Sequence, residues 1–164
     1  MPEKIIIVHG PTGAGKSTLA EQLRLGQSQP RALIALDAIY NEMLGGEGTQ
    51  AKHEAVALIE LLIRRLTADE YNIVVEGVLR PDYFRPMFTR LNAEFDITYI
   101  YLAANVETSV KRHAGRTKER HNFGEDKVRE WHTRSEPLGF ANEKIIHVDG
   151  ISAEEVLGKA QASL

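Results

Sequence analysis

The stretch Gly10-Pro11-Thr12-Gly13-Ala14-Gly15-Lys16-Ser17 constrains this chain more than any other. An apolar, β-branched run, Ile5-Ile6-Ile7-Val8, precedes it, and Thr18-Leu19-Ala20-Glu21-Gln22-Leu23, with helical character, follows. Every fixed position of G-x-x-x-x-G-K-[ST] is met, in the strand-before, helix-after context that the motif needs. Glycines let the backbone turn tightly, so that successive N–H groups point inward at an anion. The helix behind adds unpaired N–H groups and the positive end of its dipole. Gly10, Pro11, Thr12, Gly13, Ala14, Gly15, Lys16, Ser17 and Thr18 are therefore expected to cradle a nucleotide phosphate. Lys16 brings a point charge to the β- and γ-phosphates, and the Ser17 hydroxyl is a ligand for Mg²⁺.

A length of 164 residues predicts a single domain, 1–164, with room for a real core. The absence of cysteine excludes disulfides, thiolate metal sites and Cys nucleophiles, and fits a cytoplasmic chain. No apolar run approaches the ~20 residues that span a bilayer. The N-terminus enters a strand at once, leaving no room for a signal peptide. The net charge of −3 argues against general nucleic-acid binding. Its distribution says more. Residues 111–134 hold eight Lys/Arg and four Asp/Glu, while the rest has twelve basic against nineteen acidic residues. A basic segment on an acidic body suggests an anion-binding element.

Short apolar runs predict strands at 5–9, 31–36, 72–75, 96–102 and 143–148. Helices are expected between them: one ending near Gly26, then 38–44, 50–68, 83–92, one capped by Asn105 and running to about His113, one after Asp126 through Trp131, and 153–162. Strands alternating with helices argue for a parallel sheet covered on both faces. The Gly45-Gly46-Glu47-Gly48 stretch breaks the chain. Over 50–68, Ala55, Val56, Leu58, Ile59, Leu62, Ile63 and Leu66 form a broad apolar face, widened by Leu61. It packs on the sheet or forms a subunit interface. Asp82, Asn105 and Ser152 are candidate N-caps.

In an open α/β sheet, ligands bind beyond the carboxyl ends of the strands. Asp37, Glu76 and Arg80 fall there with the glycine-rich loop. Asp37 is suited to take the proton of an attacking hydroxyl, or to cap the 38–44 helix. Glu76 has three readings: a Mg²⁺ ligand with Ser17, a substrate contact, or a structural partner of Arg80. Arg80 has a planar fork suited to a phosphate or carboxylate on an acceptor; its plainer role is a surface residue at a helix start. Arg112, Arg116 and Arg120 recur every fourth residue, where like charges repel unless compensated. Either an anion joins them, making residues 114–124 a lid over a nucleotide, or they form a solvated basic face. The six histidines show no metal-ligand spacing. Trp131 is expected to pack its helix onto the body, with ring stacking as the lesser reading.

With these residues placed, the chain resembles the adenylate-kinase-like group of small phosphate-loop kinases. It looks most similar to the polynucleotide 5′-hydroxyl kinase, zeta-toxin and chloramphenicol phosphotransferase branch. Gly10 to Ser17, Asp37, Val74-Val75-Glu76-Gly77, Lys111-Arg112 with Arg116 and Arg120, and Val148-Asp149-Gly150 carry the resemblance. The Asp-x-Asp pattern of shikimate kinases is absent, and a single Glu ends the third strand. The resemblance implies an α/β three-layer sandwich, a five-stranded parallel sheet in order 2-3-1-4-5, and an arginine-bearing lid. It also implies Asp37 as base or acceptor ligand, with Asp149 and Gly150 beside an adenine. The expected activity is ATP- and Mg²⁺-dependent transfer of a γ-phosphate to a small-molecule hydroxyl. A polynucleotide 5′-hydroxyl kinase and a nucleotide-hydrolysing switch are the alternatives. The expected partners are a nucleotide and an unidentified hydroxyl acceptor, without a membrane.

Overall fold

A computed structural model describes residues 5–26, 31–115 and 123–164. Its strands are β1 Ile5–His9, β2 Arg31–Ala35, β3 Asn72–Gly77, β4 Ile97–Ala103 and β5 Glu143–His147. All pair in parallel, in the order β2-β3-β1-β4-β5 that the family resemblance implied. β1 lies in the middle with both faces covered, and every one of its residues is buried. This explains its unbroken apolar run, since a parallel strand between helical layers has no solvent face. The helices are α1 Lys16–Leu25, α2 Gly48–Ala68, α3 Pro81–Leu91, α4 Val106–Ala114, α5 Glu125–Thr133 and α6 Ala153–Gln161, with a π-helical segment Ala38–Met43 between β2 and α2.

Alternation along the strands divides the core in two. Ile6, Val8, Val74, Ile100 and Leu102 pack with Leu19, Ala20 and Leu23 of α1 and Val156 and Ala160 of α6. Ile5, Ile7, Ile73, Val75 and Tyr99 face the other way, onto Ile59 and Ile63 of α2 and Phe84, Met87 and Phe88 of α3. The phosphate-binding stretch thus belongs to the α1 face, and the α2–α3 pair to the opposite one.

Several local expectations change. The second strand stops at Ala35, and the predicted 38–44 helix is a π-helix. Asp37 precedes it with helical dihedrals (φ −62°, ψ −36°) and no capping bond, so the cap reading fails: a cap needs extended backbone. Asp82 does not cap α3 either. The helix starts earlier, at Pro81, whose fixed φ suits the first helical position, with Arg80 extended before it. Asp82 sits inside the first turn instead. α2 starts at Gly48, two residues before the predicted start. Asn105 and Ser152 cap as expected, the latter in a reciprocal capping box with Glu155.

The apolar face of α2 is narrower than its composition suggested. Ile59 and Ile63 are fully buried, whereas Leu61 is 62% exposed and lies off the packed stripe. Ile59→Ala is expected to cost about 2–5 kcal/mol. Leu61→Ala is expected to stay within about 0.5 kcal/mol. Urea denaturation with an unchanged slope checks both.

Candidate functional site

The turn from β1 into α1 is made by glycines that no side chain could replace. Gly10, Gly13 and Gly15 have φ of 145°, 78° and 91°. A Cβ on Gly10 would lie 2.4 Å from the Leu102 carbonyl oxygen, and one on Gly13 would lie 2.7 Å from that of Ser109. The loop is therefore pressed between β4 and α4 as well as bent. The Ala14 N–H closes a turn onto Pro11 at 3.2 Å, and Gly15, left-handed, precedes α1. The Lys16 side chain folds back over the loop, and its Nζ donates to the Pro11 carbonyl at 2.8 Å. Ser17 and Thr18 stand exposed on the first turn.

α4 contributes from the side. Arg112 Nη1 donates to the Ala14 carbonyl at 3.4 Å, which brings one arginine of the predicted stripe onto the loop. The start of α4 is fixed by Asn105, which accepts from Thr108 N–H at 2.8 Å. Asp149, after β5, accepts from the Asn105 N–H at 3.0 and 3.2 Å. Bonds from Thr108 and Asn105 hold the Asp149 carboxyl below its ordinary range. Asp149 and its neighbour Gly150 (φ 74°) thus form a turn lashed to the α4 N-terminus. Arg116 and Arg120, with the core of the predicted lid, lie outside the described residues. On the described flanks, His113 Nε2 accepts from the Phe123 N–H at 3.0 Å, and Phe123 meets Trp131 edge-to-face. Trp131 thus packs on the ring of Phe123, just ahead of its own helix.

Glu76, buried at the end of β3, lies opposite Val8 and follows the alternation of Val74, so it shares the α1 face. Asp37 is exposed beyond β2, and Asn41 Nδ2 donates to its Oδ1 at 3.3 Å. Arg80 pairs with Asp82 at 2.7 Å and lies over the Tyr83 ring, 5.7 Å from its centroid.

One buried pair had no sequence signal. His9, the residue before the loop, is bonded through Nε2 to Glu143 Oε1 at 2.5 Å, and both side chains are almost fully enclosed. Burial pushes the His9 imidazole below its ordinary 6.5; Glu143 opposes this and Lys16 adds a smaller lowering push. A neutral imidazole therefore donates to Glu143. Burial acts to raise Glu143, but its bonds from His9, Gly139 N–H and Leu138 N–H outweigh that and hold it below its usual range. The pair ties the residue before the loop to the α5–β5 connection.

The chain matches the AAA domain family model over residues 5–138 and belongs to that family. No curated protein matches it. Its fold is that of the P-loop kinases. A gluconokinase from Sinorhizobium meliloti 1021 superposes with TM-score 0.73 at 21% identity, covering 99% of this chain and 91% of that one. A sugar kinase from Janibacter sp. HTCC2649 gives 0.74 at 16%, covering 98% and 94%. The Mycobacterium tuberculosis APS kinase CysC, solved with AMPPNP and APS, gives 0.70 at 12%, covering 99% and 97%. Among the described residues, no helix is long and apolar enough to cross a membrane, and no group of three or more His, Asp or Glu could hold a metal ion.

The His9–Glu143 pair makes stability depend on pH with a definite sign. Both groups are depressed on folding, so the unfolded chain binds more protons as pH falls. The His9 contribution is present above its ordinary 6.5 and is lost as pH falls through its lower folded value. The Glu143 contribution goes at still lower pH. The wild type is expected to lose more thermal stability than His9→Gln between neutral pH and the acid side of 6.5, as Tm profiles of both would show.

Proposed function

We propose that this protein is an ATP- and Mg²⁺-dependent phosphotransferase that moves the γ-phosphate to a hydroxyl of a small molecule. The observation that supports this is the glycine-bent loop with Lys16 folded over it, which stands, as Asp37 does, beyond the carboxyl end of a strand of the parallel sheet. The loop N–H groups and Lys16 hold the β- and γ-phosphates, with Lys16 exchanging its bond to Pro11 for phosphate oxygens. Arg112 stabilises the nucleotide from α4, and the turn at Asp149 and Gly150 lies beside its base. Asp37 accepts the proton of the attacking hydroxyl, held in orientation by Asn41. Arg116 and Arg120, assigned from the sequence, neutralise charge on the transferred group.

Ser17 and Glu76 suit a Mg²⁺ ion: both offer oxygen, one on the first turn of α1 and the other on the same sheet face. A bound Mg²⁺ would supply charge neutralisation on the β- and γ-phosphates. A small acceptor is favoured over a polynucleotide end because the chain outside residues 111–134 is net acidic.

A panel of sugars, antibiotics, nucleosides and oligonucleotide ends, assayed with labelled ATP, tests the reading. Acceptor-dependent transfer is expected from at least one small molecule. Asp37→Asn should lower its kcat by about 10²–10⁴-fold with ATP affinity unchanged. Lys16→Ala should weaken ATP binding by about tenfold or more. Transfer by neither class of acceptor, or unchanged ATP affinity in Lys16→Ala, would overturn the proposal.

A further inference from the structure

Tyr83, in the first turn of α3, carries a cationic group from α2 and another from the residue that precedes α3. Lys52 Nζ lies 5.5 Å from its ring centroid and Arg80 Cζ 5.7 Å, while the His53 ring meets it edge-on at 5.5 Å. Lys52 and His53 lie in the opening turns of α2, which packs against both α3 and the π-helix after Asp37. Arg80 follows β3, and β3 pairs with β2, the strand that leads to Asp37. The cluster therefore stands at the carboxyl edge of the sheet, on the α2–α3 side, away from the face that holds α1.

Among the described residues these charges are only partly balanced. Among the described residues Lys52 pairs with no carboxylate. Arg80 gives a single N–H to Asp82, whose side chain is 65% exposed. A tyrosine ring attracts each cation but cancels neither charge, so both stay cationic, 5.5 and 5.7 Å from one ring centroid. The arrangement would be relieved by an anion that bridges them. Guanidinium and ammonium are the donors that hold phosphate, sulfate and carboxylate groups, the first as a fork and the second as a point charge.

We infer that Lys52 and Arg80, carried on Tyr83, bind an anionic group of the acceptor, so that the acceptor is a hydroxyl compound bearing a phosphate, sulfate or carboxylate. This rests on the phosphotransferase reading and specifies its acceptor. The anion is held by α2 and α3, which leaves the reacting hydroxyl free to turn toward Asp37. Lys52 and Arg80 act on binding and orientation, and the transferred phosphoryl does not pass through them.

The test uses matched pairs differing only in the anion: glycerol with glycerol 3-phosphate, and sorbitol with gluconate. Each is titrated into the full chain saturated with AMPPNP and Mg²⁺, which fills the phosphate loop. Amide resonances of His53, Arg80 and Tyr83 report binding. An anionic member is expected to shift them saturably while its neutral partner does not. Lys52→Met should weaken that binding by about tenfold or more. Lys159→Met, on α6, removes the same charge elsewhere and should leave it unchanged. No saturable shift from any anionic member, equal response to both members of each pair, or equal behaviour of the two lysine variants would overturn the inference. Failure of the phosphotransferase reading is separate: AMPPNP would not bind, or anions would bind and no acceptor would be phosphorylated.

Discussion

The structure depends on one steric condition: the backbone between β1 and α1 must run where a side chain cannot exist. Gly10 lies against the Leu102 carbonyl and Gly13 against that of Ser109. Their dihedrals are in turn ones that only glycine adopts without strain. Any Cβ would push the loop off β4 or α4. Their glycine identity therefore serves packing directly, and in the proposed reaction the same loop would present its N–H groups to phosphate. Gly77 repeats the theme at the exit of β3, where a Cβ would come within 2.6 Å of Leu36 Cβ. The carboxyl ends of β1 and β3 are thus both pinned by glycine, and the residues beyond them inherit fixed positions.

A second constraint acts just before the loop. His9 is the last residue of the central strand, and its bond to Glu143 joins it to a connection that Glu143 also caps at Leu138 and Gly139. A buried carboxylate with three N–H donors is well satisfied, and removing one donor leaves the others to bear an enclosed charge. The lowering of the imidazole disfavours a further positive charge from His9 on the Lys16 side. Burial, against the opposing pull of Glu143, disfavours charge on His9 at this strand end, where phosphate charge would have to be met.

What the sequence made legible follows from distance along the chain. The phosphate-binding stretch is eight contiguous residues, and its chemistry is local. The caps at Asn105 and Ser152 act over three residues and were equally readable. The strand order came from resemblance, since short apolar runs do not reveal their neighbours. The cap alternative for Asp37 fails because the chain there is already helical and winds into a π-turn. Leu61 misled because composition cannot tell a broad stripe from a narrow one plus an exposed leucine. The His9–Glu143 pair spans 134 residues and had no local signature. The Lys52–Tyr83–Arg80 cluster joins separate helices, and only their packing brings it together.

The sheet divides the labour of the proposed reaction. Alternation sends Glu76 to the α1 face with the loop, while Lys52, Arg80 and Tyr83 collect on the α2–α3 side. A donor phosphate and an acceptor anion would repel strongly if they shared one surface. Set on opposite sides of the strand ends, each has its own cations. Asp37 lies exposed beyond the edge strand β2, beside the π-helix against which α2 packs. A π-turn widens the helix and resets the direction of the residues around it, a feature common at functional sites. Here it separates Asp37 from Asn41 by one turn and lets the amide reach back to the carboxylate. The same irregularity that rules out the cap reading holds the Asp37 carboxylate against the Asn41 amide.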